Sequence, residues 1–149
     1  MARDVELAWV AGFFDGEGNI RIHKGISDKT MINPSYRLVV QISNTDYEVM
    51  VYLQETFGGT IRKCVKAKPH HKQCWQWSIH TRQAMSFVEQ IYPYLRVKKE
   101  RAELARKFID TISIKRQGPI PLSREILRLR DQYYSEMMFL NRKGIPLVA

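Results

Sequence analysis

The sequence is poor in cysteine, with only Cys64 and Cys74 among its 149 residues. Two thiols are too few for the disulfide framework of a small secreted domain. No apolar run approaches the roughly 20 residues that a membrane-spanning helix needs. The first residues also lack a charged and then apolar leader with a small-residue cleavage site. Together these absences predict an intracellular protein with free thiols and no membrane partner.

A zinc site is the alternative use of the two cysteines. His70 and His71 lie between them, which gives the spacing Cys-x5-His-His-x2-Cys. Adjacent histidines seldom turn to one ion, and the spacing matches no common zinc finger. Free thiols in a reducing compartment are the preferred interpretation.

Acidic residues are the scarcer charge, with 15 Asp and Glu against 24 Lys and Arg, which gives a net charge of +9. A positive field of this size attracts phosphate-rich partners, although a basic composition alone is weak evidence for nucleic-acid binding. The length and the 44% hydrophobic content fit one ordinary domain with a real core. We therefore predict a single domain over residues 1–149, with a C-terminal helical extension over about 117–149.

Local patterns predict an α+β fold in the order αββαββα, followed by two more helices. Period-two alternation predicts strands over Asn19–His23, Ser35–Ser43, Thr60–Lys66 and Cys74–Ile79. In the third strand Ile61 and Val65 are expected to point inward. Thr45 and Thr81 are predicted N-caps, a further helix runs from about Val97 to Ile114, and Ser123 caps the last one. Residues 117–121 form the clearest linker, and Gly144-Ile145-Pro146 ends the chain's last helix.

The first helix holds the most informative stretch, which runs from Leu7 to Gly18. Its apolar residues follow a 3–4 spacing, and Trp9 and Phe13 make it apolar nearly all round, so it is predicted to be buried. Ala8 and Gly12 lie one turn apart and leave a strip where another helix backbone could approach closely. Asp15-Gly16 then stops the helix.

Glu17 follows directly, at a helix end where carbonyl groups carry partial negative charge. A carboxylate there is unfavourable unless a cation joins it, and hard oxygen donors suit Mg²⁺. The alternative is that Asp15 and Glu17 are solvated turn residues. From the acid-glycine pattern alone, that alternative is preferred.

The stretch Ala11-Gly12-Phe13-Phe14-Asp15-Gly16-Glu17-Gly18 closely resembles the signature of the LAGLIDADG homing endonucleases, and the resemblance extends from about Leu7 to Lys98. It implies that Glu17 binds the catalytic metal, that Gly16 offers a carbonyl to it, and that Asp15 holds backbone at the helix end. It also implies a homodimer, or its single-chain equivalent, that meets through the motif helix. The interface residues would be Ala8, Ala11 and Gly12.

Two more catalytic residues follow from the same resemblance. Asn44 matches a position that orients water near the metal, and Lys98 matches a basic residue that stabilises charge at the scissile phosphate. The implied cofactor is Mg²⁺, with Mn²⁺ as a substitute and Ca²⁺ supporting binding without efficient cleavage. The implied setting is an intron-encoded protein of a mitochondrion, a chloroplast, or a bacterial or archaeal cytoplasm.

The polar face of the four strands would then be a saddle for DNA. Arginine and amide side chains can pair with purine edges in the major groove, which admits β-ribbons. A strand of about seven residues spans roughly the length of seven base pairs. A symmetric dimer would therefore recognise a near-palindrome of about fifteen or more base pairs. The predicted DNA-binding residues are Asn19, Arg21, His23, Arg37, Gln41, Arg62, Cys64, Lys66 and Gln76.

These inferences favour a homodimeric, Mg²⁺-dependent, site-specific endonuclease of double-stranded DNA. One alternative is a maturase that binds its own intron RNA and helps it splice. RNA helices hide their major groove, so competition between duplex DNA and intron RNA would separate the two. Another alternative is a DNA-binding regulator that cuts nothing. The presence of Glu17, Asn44 and Lys98 argues against it.

Overall fold

The computed structural model describes residues 3–25, 34–66, 68–112 and 122–142. Their α+β order confirms the predicted αββαββα arrangement followed by two helices. A 3-10 turn, Tyr92–Tyr94, separates the third helix from the fourth. The elements in chain order are α1 (Asp4–Glu17), β1 (Gly18–Gly25), β2 (Ser35–Asn44), α2 (Tyr47–Phe57), β3 (Thr60–Lys63), β4 (Trp75–His80), α3 (Thr81–Ile91), α4 (Lys99–Ile112) and α5 (Arg124–Leu140).

The four strands form one antiparallel sheet in the order β1-β2-β4-β3. Their apolar side chains share one face, where Ile20 pairs with Val40 and Val40 pairs with Ile79. All three are buried. The helices pack on this face, because side chains of a strand alternate between faces and only one of the two is apolar.

An aromatic cluster fills the centre of the core, where α1 meets α3 and β4. The Phe87 ring lies 5.5 Å from Phe14, 5.1 Å from Trp77 and 4.8 Å from Phe57, in each case between ring centroids. Edge-to-face pairs at these distances add to the stabilisation that comes from burial alone. The cluster fixes the C-terminal half of α1 against the sheet, and with it the end of the motif.

Three glycines lie where a helix passes into a strand. A Cβ on Gly18 would lie 2.1 Å from the Phe14 ring, so only glycine lets α1 run straight into β1. Gly58 and Gly59 end α2 with φ angles of 83° and 95°, which side-chain-bearing residues seldom adopt. The carbonyl of Gly58 also accepts a 2.8 Å hydrogen bond from Trp77 Nε1.

The C-terminal helix α5 closes one edge of the sheet. Asp131 forms a 2.6 Å ion pair with Lys24 of β1 and accepts a 3.0 Å hydrogen bond from the Tyr36 hydroxyl. Just after the helix, Asn141 Nδ2 donates to the Ile20 carbonyl at 2.8 Å. Edge strands expose unpaired backbone groups that invite pairing with other chains, and α5 covers this one.

Several predicted boundaries are corrected by the structure. Asp46 rather than Thr45 caps α2, and its side chain accepts a 3.2 Å hydrogen bond from Val49 N. Thr81 is the first residue of α3 and not its cap, with a φ of 51° that is unusual for a β-branched residue. Helix α4 begins at Lys99, two residues after the predicted start.

Ser123 is confirmed as the cap of α5, with its hydroxyl accepting from Ile126 N at 3.3 Å. The predicted linker at 117–121 and the predicted end at 144–146 lie outside the described residues. Within the described ranges, no helix has the length and apolar character needed to cross a bilayer.

Strand β3 is shorter than predicted, because it ends at Lys63 instead of Lys66. Its partner β4 begins at Trp75, so regular pairing stops at the Lys63–Trp75 pair. Val65, predicted to point inward, is 98% exposed. Lys66 lies in the loop beyond the strand, and its predicted place on the saddle is therefore wrong.

Candidate active site and nucleic-acid interface

The C-terminus of α1 is tied to the segment that leads into α4. The Asp15 carboxylate accepts a 2.8 Å hydrogen bond from Arg96 N and a 3.0 Å hydrogen bond from Lys98 N. These two amides are more than 80 residues away in sequence. The geometry agrees with the structural role predicted for Asp15, because the carboxylate holds backbone rather than facing solvent.

Lys98 is thereby placed against the end of the motif. Its Nζ donates a 2.6 Å hydrogen bond to the Asp15 carbonyl, and it lies 6.0 Å from the centre of the Phe14 ring. The last carbonyls of a helix lack intrahelical partners and carry partial negative charge, so a cation is favoured there. The ammonium group of Lys98 is thus bonded to the carbonyl of Asp15, the residue two positions before Glu17.

Glu17 and Gly16 are both exposed at this helix end, as a ligand site for an external group requires. A carboxylate and backbone carbonyls are hard oxygen donors, so their chemistry fits Mg²⁺. Within the described residues, however, no three His, Cys, Asp or Glu side chains group closely enough to hold a metal. The same finding gives no support to a zinc site around Cys64 and Cys74.

Asn44 ends β2 at the same end of the sheet. Gly18, the first residue of β1, pairs with Ile42, two residues before Asn44. The Asn44 Oδ1 accepts a 2.8 Å hydrogen bond from Asp46 N, which shapes the turn into α2. This local bond is a role that the sequence did not indicate, and the predicted role in orienting water stays a prediction.

The polar face of the sheet is where most of the predicted DNA-binding residues meet. Register places Asn19 opposite Gln41, Arg21 opposite Val39, and His23 opposite Arg37. On the other half of the sheet Arg62 lies opposite Gln76. We call this face the saddle. Its members from the paired strands are Asn19, Arg21, His23, Arg37, Val39, Gln41, Ser43, Thr60, Arg62, Gln76, Ser78 and His80.

Side-chain hydrogen bonds cross the saddle and orient its amides. Arg21 Nε donates to Gln41 Oε1, Gln41 Nε2 donates to Gln76 Oε1, and Gln76 Nε2 donates to the Ser43 hydroxyl, each at 3.4 Å. At this length the bonds are weak, so incoming base edges can compete for the same groups. The saddle is therefore organised but not closed to a ligand.

His80 is a saddle residue that the sequence reasoning missed. It pairs with Val39 near the middle of the sheet, and its Nδ1 is buried without a hydrogen-bond partner among the described residues. Burial, followed by the charges of Arg37, Arg21 and Arg62, lowers the pKa of the imidazole. The alternation that runs through Gln76 and Ser78 could have identified it, since His80 is the next residue on that face.

Cys64 and Cys74 face each other just beyond the last regular pair of β3 and β4. Cys64 N donates to the Cys74 carbonyl at 2.9 Å, and the two Sγ atoms are 3.0 Å apart. Burial and then the neighbouring Cys74 thiol raise the pKa of Cys64 to about 11. Both residues are free thiols, as the sequence predicted, but their proximity was not foreseen.

The outer side of α1 is apolar and uncovered in the single chain. Val5 is 80% exposed and Trp9 51% exposed, although the helix was predicted to be buried all round. A Cβ on Gly12 would meet nothing within 4 Å, so the strip it forms with Ala8 is open. Ala11 does not belong to this strip, because it is fully buried in the core of its own chain, and its predicted place in the interface is wrong.

Comparison with protein families finds a match to the LAGLIDADG endonuclease model over residues 10–114. The match begins within α1 and extends two residues beyond α4, so it includes the helix end, the whole saddle and Lys98. No curated protein matches.

Solved structures share the fold. I-CvuI, in complex with the I-CreI target in the presence of 2 mM Mg and with the DNA not cleaved, has a TM-score of 0.76 at 18% identity, over 97% of this chain and 87% of that one. The archaeal intron-encoded homing endonuclease I-Vdi141I, complexed with DNA, has a TM-score of 0.76 at 16% identity, over 98% and 90%. I-SmaMI, bound to an uncleaved DNA target with calcium ions, has a TM-score of 0.71 at 17% identity, over 95% of this chain but 46% of its own.

Proposed function

Because the chain belongs to the LAGLIDADG endonuclease family, it is a site-specific DNA endonuclease, and we propose that it works as a homodimer with divalent cations on a long, near-palindromic duplex. The observation that supports this best is the lock between Asp15 and the segment before α4. Those hydrogen bonds hold Lys98 against the end of α1, the helix whose last residue is Glu17.

The homodimer is proposed from the exposed side of α1. A strip of small residues flanked by exposed apolar side chains is suited to close contact with the same strip of a second copy, since a two-fold axis pairs identical surfaces. The chain spans 87% of I-CvuI but 46% of I-SmaMI, so the second protein has room for two such units in one chain. Two copies would bring two Glu17 carboxylates near the axis.

The cation is proposed from the chemistry of the donors. Glu17 and the Gly16 carbonyl would hold it, with the remaining ligands coming from the second copy and from DNA phosphates. When bound, a divalent ion activates water for attack and offsets charge on the phosphate. The I-CvuI complex was solved in the presence of magnesium and the I-SmaMI complex in the presence of calcium, which supports the use of a divalent cation.

The chain's own residues would do the rest of the work. Arginines and amides of the saddle bind base edges and phosphates, and hold the duplex in register. Lys98 would donate to a phosphate oxygen as negative charge grows there, which would stabilise the transition state more than the ground state. Asp15 keeps that lysine in place.

The test is a Glu17→Gln variant, assayed for duplex binding and nicking in Mg²⁺, Ca²⁺ and chelator. The substitution keeps shape and hydrogen bonding but removes one charge per chain. Two carboxylates near a polyanion repel it unless cations are bound. Binding should therefore stay intact or tighten, most clearly in chelator, while cleavage of both strands is lost.

Glu55→Gln is the matched control, because it removes the same charge from the exposed surface of α2. It should cut like the wild type. Wild-type protein should bind in Ca²⁺ with little cutting. If Glu17→Gln nicks DNA at a rate near the wild type, Glu17 is not the ligand and the proposed mechanism is wrong.

A further inference from the structure

The β3–β4 loop, residues 65–73, is a second basic surface beside the saddle. Its cationic and imidazole side chains are all exposed, and residue 67 alone lies outside the described part of the loop. They are Lys66, Lys68, His70, His71 and Lys72. The loop begins immediately after Cys64, the first residue beyond β3, and it ends immediately before Cys74. Cys64 follows Arg62 by two residues and therefore lies on the same side as Arg62. A duplex that lies along the saddle would meet this loop at its flank.

The two cysteines lie opposite each other at the base of that loop. Opposed residues of an antiparallel pair have Cα atoms about 4.5–5.5 Å apart, within the range that disulfides span. The Cys64–Cys74 backbone hydrogen bond extends the pairing by one residue, and the sulfurs lie 3.0 Å apart. Gln73 Nε2 joins both sides of the base by donating to the carbonyls of Cys64, at 3.1 Å, and of Cys74, at 2.8 Å. Little movement separates this arrangement from a bond of about 2.05 Å.

We propose that Cys64 and Cys74 form a reversible disulfide that closes the β3–β4 loop and pre-orders its basic side chains for duplex DNA. The co-reactant is a small-molecule disulfide such as oxidised glutathione. A thiolate of Cys74 attacks one of its sulfurs and releases one glutathione thiol. Cys64 then attacks the mixed disulfide at Cys74 Sγ and releases the second. The protein loses two hydrogens, which end on the two released thiols, and the small disulfide is reduced.

The consequence for DNA rests on the proposed function. Closing the loop across its base restricts the conformations that its five basic or imidazole side chains can adopt. Side chains that are ordered in advance lose less conformational entropy on binding, so the complex becomes tighter without any new contact. The number of phosphates met by cations stays the same, so the dependence of affinity on salt should not change.

The chemical half of the test uses the full wild-type chain without DNA. The protein is equilibrated in buffers of varied reduced-to-oxidised glutathione ratio, alkylated, and weighed by intact mass spectrometry. We expect an intramolecular disulfide, seen as the loss of two hydrogens with no alkylation, that dithiothreitol reverses. Its rate of formation should rise with pH, since the thiolate is the attacking form. Cys64→Ser should stop at the mixed disulfide on Cys74.

The functional half compares oxidised and reduced protein on two probes, a duplex recovered by selection from a random pool and a random-sequence duplex. We expect the oxidised form to bind the selected duplex about three- to tenfold more tightly, with an unchanged salt slope. The double variant Cys64→Ser with Cys74→Ser, treated in the same buffers, should bind the selected duplex with the same affinity under oxidising and reducing conditions.

Three outcomes decide the question. No intramolecular disulfide at any glutathione ratio would overturn the proposal, as would equal affinity of the two forms for the selected duplex. A reduced wild type that enriches no duplex from the pool would instead overturn the proposed function. Because the mass measurement uses no DNA, it decides whether the disulfide forms in each of these cases.

Discussion

At the scale of single residues, Asp15 shows how one acid can serve a site without touching a substrate. Its carboxylate holds two backbone amides of the segment before α4, and its carbonyl accepts from the Lys98 side chain. The neighbouring acid, Glu17, is exposed and makes neither contact. The two acids, with one glycine between them, therefore differ in their surroundings, because the helix ends between them and the strand.

Asp15→Ala should lower the free energy of unfolding by about 1–3 kcal/mol, because it removes two charge-assisted hydrogen bonds at a partly exposed position. It should also slow cleavage strongly while leaving duplex affinity within a few fold. The backbone N of Lys98 loses its hydrogen bond to the carboxylate, so the lysine is held less firmly, whereas the saddle is unaffected. Urea unfolding and single-turnover cleavage measure the two effects. Asp46→Ala, which removes an ordinary helix cap, is the control and should lower stability but not the rate of cleavage. Equal loss of cleavage in both variants would contradict the positioning role.

At the scale of elements, the end of β3 separates saddle residues from loop residues. Arg62 lies on the saddle opposite Gln76, whereas Lys66 lies beyond the strand. An arginine on the saddle can discriminate bases, but a lysine in an exposed loop meets phosphates. Arg62 and Lys66 are four residues apart, and we expect their substitutions to have different effects on DNA binding.

Arg62→Ala should relax preference at one symmetric pair of positions, at a cost of about 1–3 kcal/mol per half-site. Lys66→Ala should weaken binding to all sequences alike and lower the salt slope by about one for each phosphate that the lysine neutralises. A cleavage profile over a library of single-base variants measures the first effect, and a salt titration measures the second. If Arg62→Ala leaves the profile unchanged at every position, β3 does not contact bases.

The same boundary shows what local sequence could and could not predict. The alternation of Ile61 and Val65 continues past the true end of β3, because a strand ends where its partner does and not where its own pattern does. The cap of α2 was misplaced by one residue, since Thr45 and Asp46 are both good caps. Periodicity otherwise identified all four strands and every helix of the described chain, because it reports which face each element buries.

Contacts between distant segments are where local patterns gave no information. Nothing near Lys98 indicates that Asp15 will hold it, and only the resemblance to a family suggested that the two ends of the site meet. Nothing in the sequence indicated the hydrogen bond from Asn141 to the Ile20 carbonyl of β1, since a single amide after a helix is common. Likewise, the short distance between Cys64 and Cys74 depends on the pairing register of two strands.

At the scale of the whole molecule, the exposed side of α1 is the surface that the single chain leaves unfinished. An apolar helix was predicted to be buried, and its inner half is, while Val5 and Trp9 remain exposed. Large exposed apolar patches mark interaction sites. The missing cover is supplied, in our proposal, by the same helix of a second copy.

Gly12→Leu should therefore separate the two copies without harming either. A Cβ at this position meets nothing within 4 Å in the single chain, and the position is exposed, so we expect the fold to tolerate the substitution. Between two helices in close contact the same side chain would hold the backbones apart. Sedimentation should show a monomer for the variant and a dimer for the wild type, and double-strand cleavage should be lost. Glu55→Leu, an exposed change on α2, is the control, and an intact dimer for Gly12→Leu would contradict the interface.

The direct passage of α1 into β1, with no residue between Glu17 and Gly18, has a consequence for how such a protein can acquire new targets. In the proposed mechanism Glu17 would hold the cation and β1 would contact the first bases, and the two belong to one continuous segment. The distance from the cut to each base that β1 contacts would then be set in steps of about 3.3 Å by the strand itself. Substitutions on the saddle would change which sequence is recognised, but they would not move the break within it. The position of the cleavage site relative to the recognised sequence would be fixed by the backbone, and only the saddle side chains would be free to change specificity.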